Sequence, residues 1–89
     1  MPRLEFSERF AEDLARVASG KVEARVYAAL DNVEAFGEFG SRVVPDSIRE
    51  DFGEGVRKVV VNPFDLVYTY YPDEDLVRIE ALVHQRAAR

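Results

Sequence analysis

The chain has 89 residues, no cysteine, no tryptophan and one histidine, and its 12 Lys+Arg against 17 Asp+Glu give a net charge of −5. These numbers exclude a disulfide framework, a thiolate nucleophile, a Cys-ligated zinc and a multi-His metal site within one chain, and they leave no apolar run near the roughly 18 residues of a membrane span. They point to a single cytoplasmic domain over residues 1–89 without metal or cofactor, with one modest core and too little positive charge to coat nucleic acid.

Arg3-Leu4-Glu5-Phe6 alternates polar and apolar, which predicts a short strand. Ser7 is a natural helix N-cap, and Phe10, Leu14 and Val17 follow at helical spacing. Gly20 reads as a helix stop, with Lys21 restarting the pattern. A second helix is expected from about Val22 to Phe36, its apolar side made by Val22, Val26, Ala29, Leu30, Val33 and Phe36. The two helices read as an antiparallel hairpin; one long helix through Gly20 is the alternative, since a mid-helix Gly costs only about 1 kcal/mol.

Residues 37–55 hold four of the five glycines and Pro45. This is the longest irregular stretch, with Ile48 and Phe52 spaced for one anchoring helical turn. From Val56 the period changes to two. Strands are expected at 56–61, 64–71 and 76–83, separated by Asn62-Pro63 and by the acidic turn 72–75. In the last strand, Val77, Ile79, Ala81 and Val83 are expected on one face, and Arg78 and Glu80 on the other. The expected fold is α+β, in the order β-α-α-β-β-β, with the helical hairpin packed on an antiparallel sheet of about four strands. A fold this small leaves an apolar groove or an open strand edge, either of which suits a partner polypeptide.

Several stretches in this order resemble one family. They are Leu4 to Leu14, then Phe52-Gly53-Glu54-Gly55-Val56-Arg57-Lys58-Val59-Val60-Val61, then Pro63-Phe64-Asp65-Leu66-Val67-Tyr68, then an acidic turn, then Val77 to Arg86. Together they resemble the RelE/ParE toxins of bacterial type II toxin–antitoxin (plasmid stabilisation) systems. The resemblance implies a toxin silenced by a cognate antitoxin. Its target is translated messenger RNA on the ribosome for RelE-like mRNA interferases, or DNA gyrase for ParE-like members, which are not enzymes of RNA cleavage. An attenuated toxin that serves only as an antitoxin-binding co-repressor is a further possibility.

RNA cleavage by 2′-hydroxyl attack needs a base, cations for the phosphorane and an acid for the leaving oxygen. The resemblance places Arg57 as a phosphate clamp, His84 as acid or base and Arg86 as added positive charge. Lys58, Arg78 and Arg89 are candidates for holding the substrate. Arg57 has the alternative of a cross-strand ion pair with Asp65 or Glu80. Three features depart from the nuclease branch: Asp65 stands where those toxins carry a basic residue, no Tyr lies near the C-terminus, and the chain is acidic. Tyr68 and Tyr70 are expected to serve as core or partner surface rather than as base-stacking platforms.

Overall fold

A computed structural model of the chain describes residues 1–87. Strand β1 (Arg3–Phe6) is followed by helices α1 (Glu8–Ala15), α2 (Gly20–Ala35) and α3 (Asp46–Phe52). Strands β2 (Val56–Val61), β3 (Phe64–Tyr71) and β4 (Leu76–His84) complete the fold. The sheet order is β1-β4-β3-β2. β2, β3 and β4 form the expected antiparallel meander. β1 joins the edge of β4, but in parallel, with Arg3 opposite Leu76 and Phe6 opposite Ile79, so the sheet is mixed rather than wholly antiparallel.

Local chemistry fixes the helix ends. The Ser7 hydroxyl accepts from Phe10 N at 3.0 Å and donates to Glu80 O at 2.7 Å, so the cap of α1 also ties it to β4. The α1 turn closes at Arg16, before Gly20. Gly20 is the first residue of α2 rather than a stop, because Ser19 caps that helix by accepting from Val22 N at 3.3 Å. The cap contributes about 1 kcal/mol. Val26 and Val33, fully buried on the sheet, contribute about 1.5–3 kcal/mol each, so packing dominates the stability of α2.

Both sheet faces are covered, not one. On one face Val61, Leu66, Tyr68, Val77, Ile79 and Leu82 pack with Phe10 of α1 and with Val26, Ala29, Leu30 and Val33 of α2. On the other, Val56 and Val67 pack with Val44 and Ile48, flanked by Phe52 and Val83. The single turn expected at Ile48 and Phe52 is the helix α3 that makes this second core.

One residue reorders β4. Tyr68 pairs with Ile79 and Val67 with Ala81, which leaves Glu80 opposite no residue, a β-bulge. Past it the alternation is reversed. Leu82 joins Val77 and Ile79 in the α2-side core, while Val83 turns to the α3 side. Ala81 and Val83 therefore do not share a face with Val77 and Ile79. Where β1 stops, α1 lies along the freed edge of β4 and Asp13 Oδ2 accepts from Leu82 N at 3.0 Å.

Candidate functional site

His84 is the last residue of β4, exposed, pairs with Phe64 and meets its ring edge-on at 5.5 Å between centroids. Its Nδ1 accepts from Arg86 N at 3.2 Å. A neutral imidazole that accepts at Nδ1 carries its proton at Nε2. With Nδ1 engaged in that bond, Nε2 is the ring nitrogen left for other partners. Arg86 is exposed and its guanidinium has no ion-pair partner among the described residues.

Arg57 shares the α2 side of the sheet but lies far from His84. In the register, Val61 is opposite Phe64 and Phe64 opposite His84, so Arg57 stands four residues along β2 and two strands across. Strand geometry makes that separation roughly 16 Å between Cα atoms. Arg57 Nη1 donates to Gly40 O at 3.0 Å and to Glu38 O at 3.3 Å. It makes neither of the expected ion pairs. Lys58 takes Asp65 at 3.5 Å, and Arg78 Nε takes Glu80 at 3.1 Å while its Nη1 pairs with Glu5. Hydrogen bonds from Arg78 to Glu5 and Glu80 and the charge of Glu80 raise the guanidinium pKa further. Thr69 Oγ1 donates to the other Glu80 oxygen at 3.0 Å.

Lys58, Asp65 and Arg78 therefore occupy the face opposite His84 and Arg57. Asp65 is 2% exposed and also accepts from Gln85 Nε2 at 3.3 Å. Arg89 lies outside the described residues. The structure brings His84 and Arg86 together at one end of β4. It does not bring them to Arg57, Lys58 or Arg78. Among the described residues no group of three or more His, Asp or Glu could hold a metal ion, and no helix is long and apolar enough to cross a membrane.

Two features were not found by residue-level reasoning. The first is a pinned loop after α2. The Tyr68 hydroxyl, fully buried, donates to Gly37 O at 2.8 Å and accepts from Gly40 N at 2.6 Å. Ser41 N donates to Lys58 O at 2.8 Å and Lys58 N to Ser41 O at 2.9 Å. A Cβ on Gly37 would stand 2.4 Å from the Tyr70 ring, and one on Gly40 would stand 2.7 Å from that of Tyr68, so both tyrosines need glycine there. Burial pushes the Tyr68 phenol pKa up, partly opposed by the Gly40 N–H. The pairing of glycines before β2 with tyrosines in β3 was the available signal.

The second is the place and lining of the expected groove, which measures about 520 Å³ and lies between α2 and β2, lined by Arg25, Ala28, Ala29, Asn32, Phe39 and Val59 to Asn62. The pinned loop stands at its end, with Phe36, Phe39 and Val43 exposed.

Neither the protein-family models nor the curated proteins give a match to this sequence. Solved structures do. A chain of the intact E. coli RelBE toxin–antitoxin complex superposes with a TM-score of 0.71 at 14% identity, over 94% of this chain and 96% of that one. The fold is that of the RelE toxin. The isolated E. coli RelE toxin gives a TM-score of 0.70 at 18% identity, covering 100% of this chain and 87% of its own. An E. coli RelE variant in complex with an antitoxin RelBc peptide gives 0.65 at 14% identity, with 91% and 80% covered. At these identities the likeness speaks for the RelE fold alone, and the chemistry rests on the residues present.

Proposed function

We propose that the chain is the growth-inhibiting toxin of a toxin–antitoxin pair, acts in the cytoplasm, is neutralised by a cognate antitoxin and works by binding its target rather than by cutting RNA. The RelE fold and the isolated and antitoxin-bound forms of the neighbouring structures support the first part. The observation that carries the second is Asp65. It stands where the resembling nucleases carry a basic residue, and it is buried against Lys58 on the face away from His84. A phosphorane stabiliser has to converge on one point, and Arg57, Lys58 and Arg78 are each committed elsewhere.

The test is induction of the chain without an antitoxin, with messenger RNA integrity and plasmid supercoiling read from the same culture. Growth arrest with intact message is expected, and altered supercoiling would name DNA gyrase as the target. Cut message would favour the second reading, a ribosome-dependent endoribonuclease using His84 and Arg57, which the exposed position of His84 beside Arg86 supports. Undisturbed growth would leave an antitoxin-binding co-repressor.

A further inference from the structure

An apolar socket and an apolar knob stand on opposite flanks of α2. The socket lies between α1 and α2, measures about 260 Å³ and is lined by Phe6, Phe10, Ala11, Leu14, Tyr27 and Leu30, with no charged residue among them. A cavity of ~150 Å³ already admits a benzene ring. The knob is Phe39, 49% exposed. The pinned loop presents it rigidly. Tyr68 holds Gly37 O and Gly40 N on either side of it, and Phe39 N donates to Phe36 O at 2.9 Å. A loop held in this way has little further freedom to lose on docking.

Charge divides the two flanks. Residues three or four apart share a stripe of a helix. Glu23 and Asp31 stand four before and four after Tyr27, and Glu34 stands four after Leu30, so the socket side of α2 carries three carboxylates. Arg25 lines the groove beside Phe39, and Lys21 stands one turn before it on α2. None of these five charges has an ion-pair partner among the described residues. In the knob's own loop, Glu38 and Arg42 offset each other.

We infer that free copies of this chain associate head to tail, with Phe39 of one copy entering the socket between α1 and α2 of the next while its Arg25 faces that copy's Glu23 and Asp31. Two-fold pairing is disfavoured by charge. Socket on socket sets three carboxylates against three, and knob on knob sets Arg25 against Arg25. A head-to-tail contact leaves a knob unused at one end and a socket at the other, so it adds further copies. Burial of the ring supplies the affinity. The exposed charges contribute little each and set the orientation. One ring per junction places the contact in the weak class, and the net charge of −5 on each copy opposes growth.

Sedimentation equilibrium of the full chain over a hundredfold range of concentration is the test. The average mass should climb past that of two copies. Phe39→Ser removes the knob and Ala11→Trp fills the socket, both at exposed positions, and each variant alone should stay a single copy. Mixed in equal amounts, the two should form a species of two copies and nothing larger, because one keeps the socket and the other the knob. Should Ala11→Trp unfold the chain, Glu23→Lys with Asp31→Lys takes its place as the socket variant. Arg25→Glu should weaken association at least threefold, and adding Asp31→Lys to it should recover most of the loss. A parent chain that stays a single copy at every concentration, or whose mass stops at two, overturns the inference. So does a Phe39→Ser chain that associates like the parent, or a mixture of the two variants that remains single.

Discussion

The Asp65 carboxylate meets the Lys58 ammonium at 3.5 Å across β2 and β3, with the Asp65 side chain 3% exposed and that of Lys58 23%. Desolvating a carboxylate is costly, and removing its cation leaves that cost unopposed. Lys58→Met should therefore destabilise the chain by about 2 kcal/mol, below the ~3–5 kcal/mol of a fully buried pair, because the lysine keeps some water. The double variant Lys58→Met with Asp65→Leu should recover most of the loss. Urea unfolding of the unaltered chain and the two variants measures this; a double variant as unstable as the single one contradicts it.

Tyr68→Phe removes one oxygen and strands two groups, the N–H of Gly40 and the C=O of Gly37. A loss of about 2–3 kcal/mol is expected, together with faster amide exchange through residues 37–41. An unchanged exchange pattern would show that the loop is held by Arg57 and Ser41 without the tyrosine.

The same phenol sets a pH limit. Burial raises its pKa in the folded state above the ordinary value of 10.0, so the native chain holds this proton more tightly than the unfolded one. Its contribution to stability is complete below pH ~10 and is lost as pH climbs through the folded-state value. A tyrosine ionisation step above pH ~10, in step with alkaline unfolding, should appear by absorbance at 295 nm, and Tyr68→Phe should abolish it. A titration curve that Tyr68→Phe leaves unchanged in shape would contradict this.

Three glycines should respond differently to alanine. Gly37→Ala drives a methyl into the Tyr70 ring and should cost about 1–3 kcal/mol. Gly53, at φ +96°, has open space but the wrong backbone, so Gly53→Ala should cost about 1 kcal/mol. Gly20 opens α2 with nothing within 4 Å, and Gly20→Ala should gain up to about 0.5 kcal/mol. Thermal melts of the three, ranked in that order, are the check.

His84→Ala removes an exposed ring bonded to Arg86 N and resting edge-on against Phe64, so stability should change by no more than about 0.5 kcal/mol. On the proposed function, growth inhibition should persist. A stable His84→Ala chain that no longer arrests growth would return His84 to the role of acid or base in RNA cleavage.

Much of this architecture was legible from period and caps. Ser7, the switch to period two at Val56 and the breaks at Asn62-Pro63 and Pro72 place the strands and the start of α1 to within a residue or two, while α1 ends at Ala15, short of the expected stop at Gly20. Three things were hidden. The parallel pairing of β1 is decided by where the chain re-enters the sheet, which no local pattern encodes. The bulge at Glu80 leaves no trace in sequence, because Arg78-Ile79-Glu80-Ala81 alternates acceptably in either register. The start of α2 was misplaced because Gly20 carries a stop signal and Ser19 a start signal, and the cap won. At the candidate site, residue type was readable and convergence was not: Arg57 and Lys58 are adjacent, so a strand necessarily sends them to opposite faces, and which face belongs with His84 depends on the unseen bulge.

The pairing of Arg3 with Leu76 joins residues 73 positions apart and closes the sheet between its first and last strands. Bringing such distant segments together has an entropic cost that no shorter-range contact can meet in advance. A growing polypeptide cannot complete this sheet until Leu76 to Ile79 have emerged from the ribosome. The fold is thus withheld until β4 is available, and a product truncated before Leu76 lacks the edge along which β1 and α1 dock as well as the Val77, Ile79 and Leu82 side chains of the α2-side core.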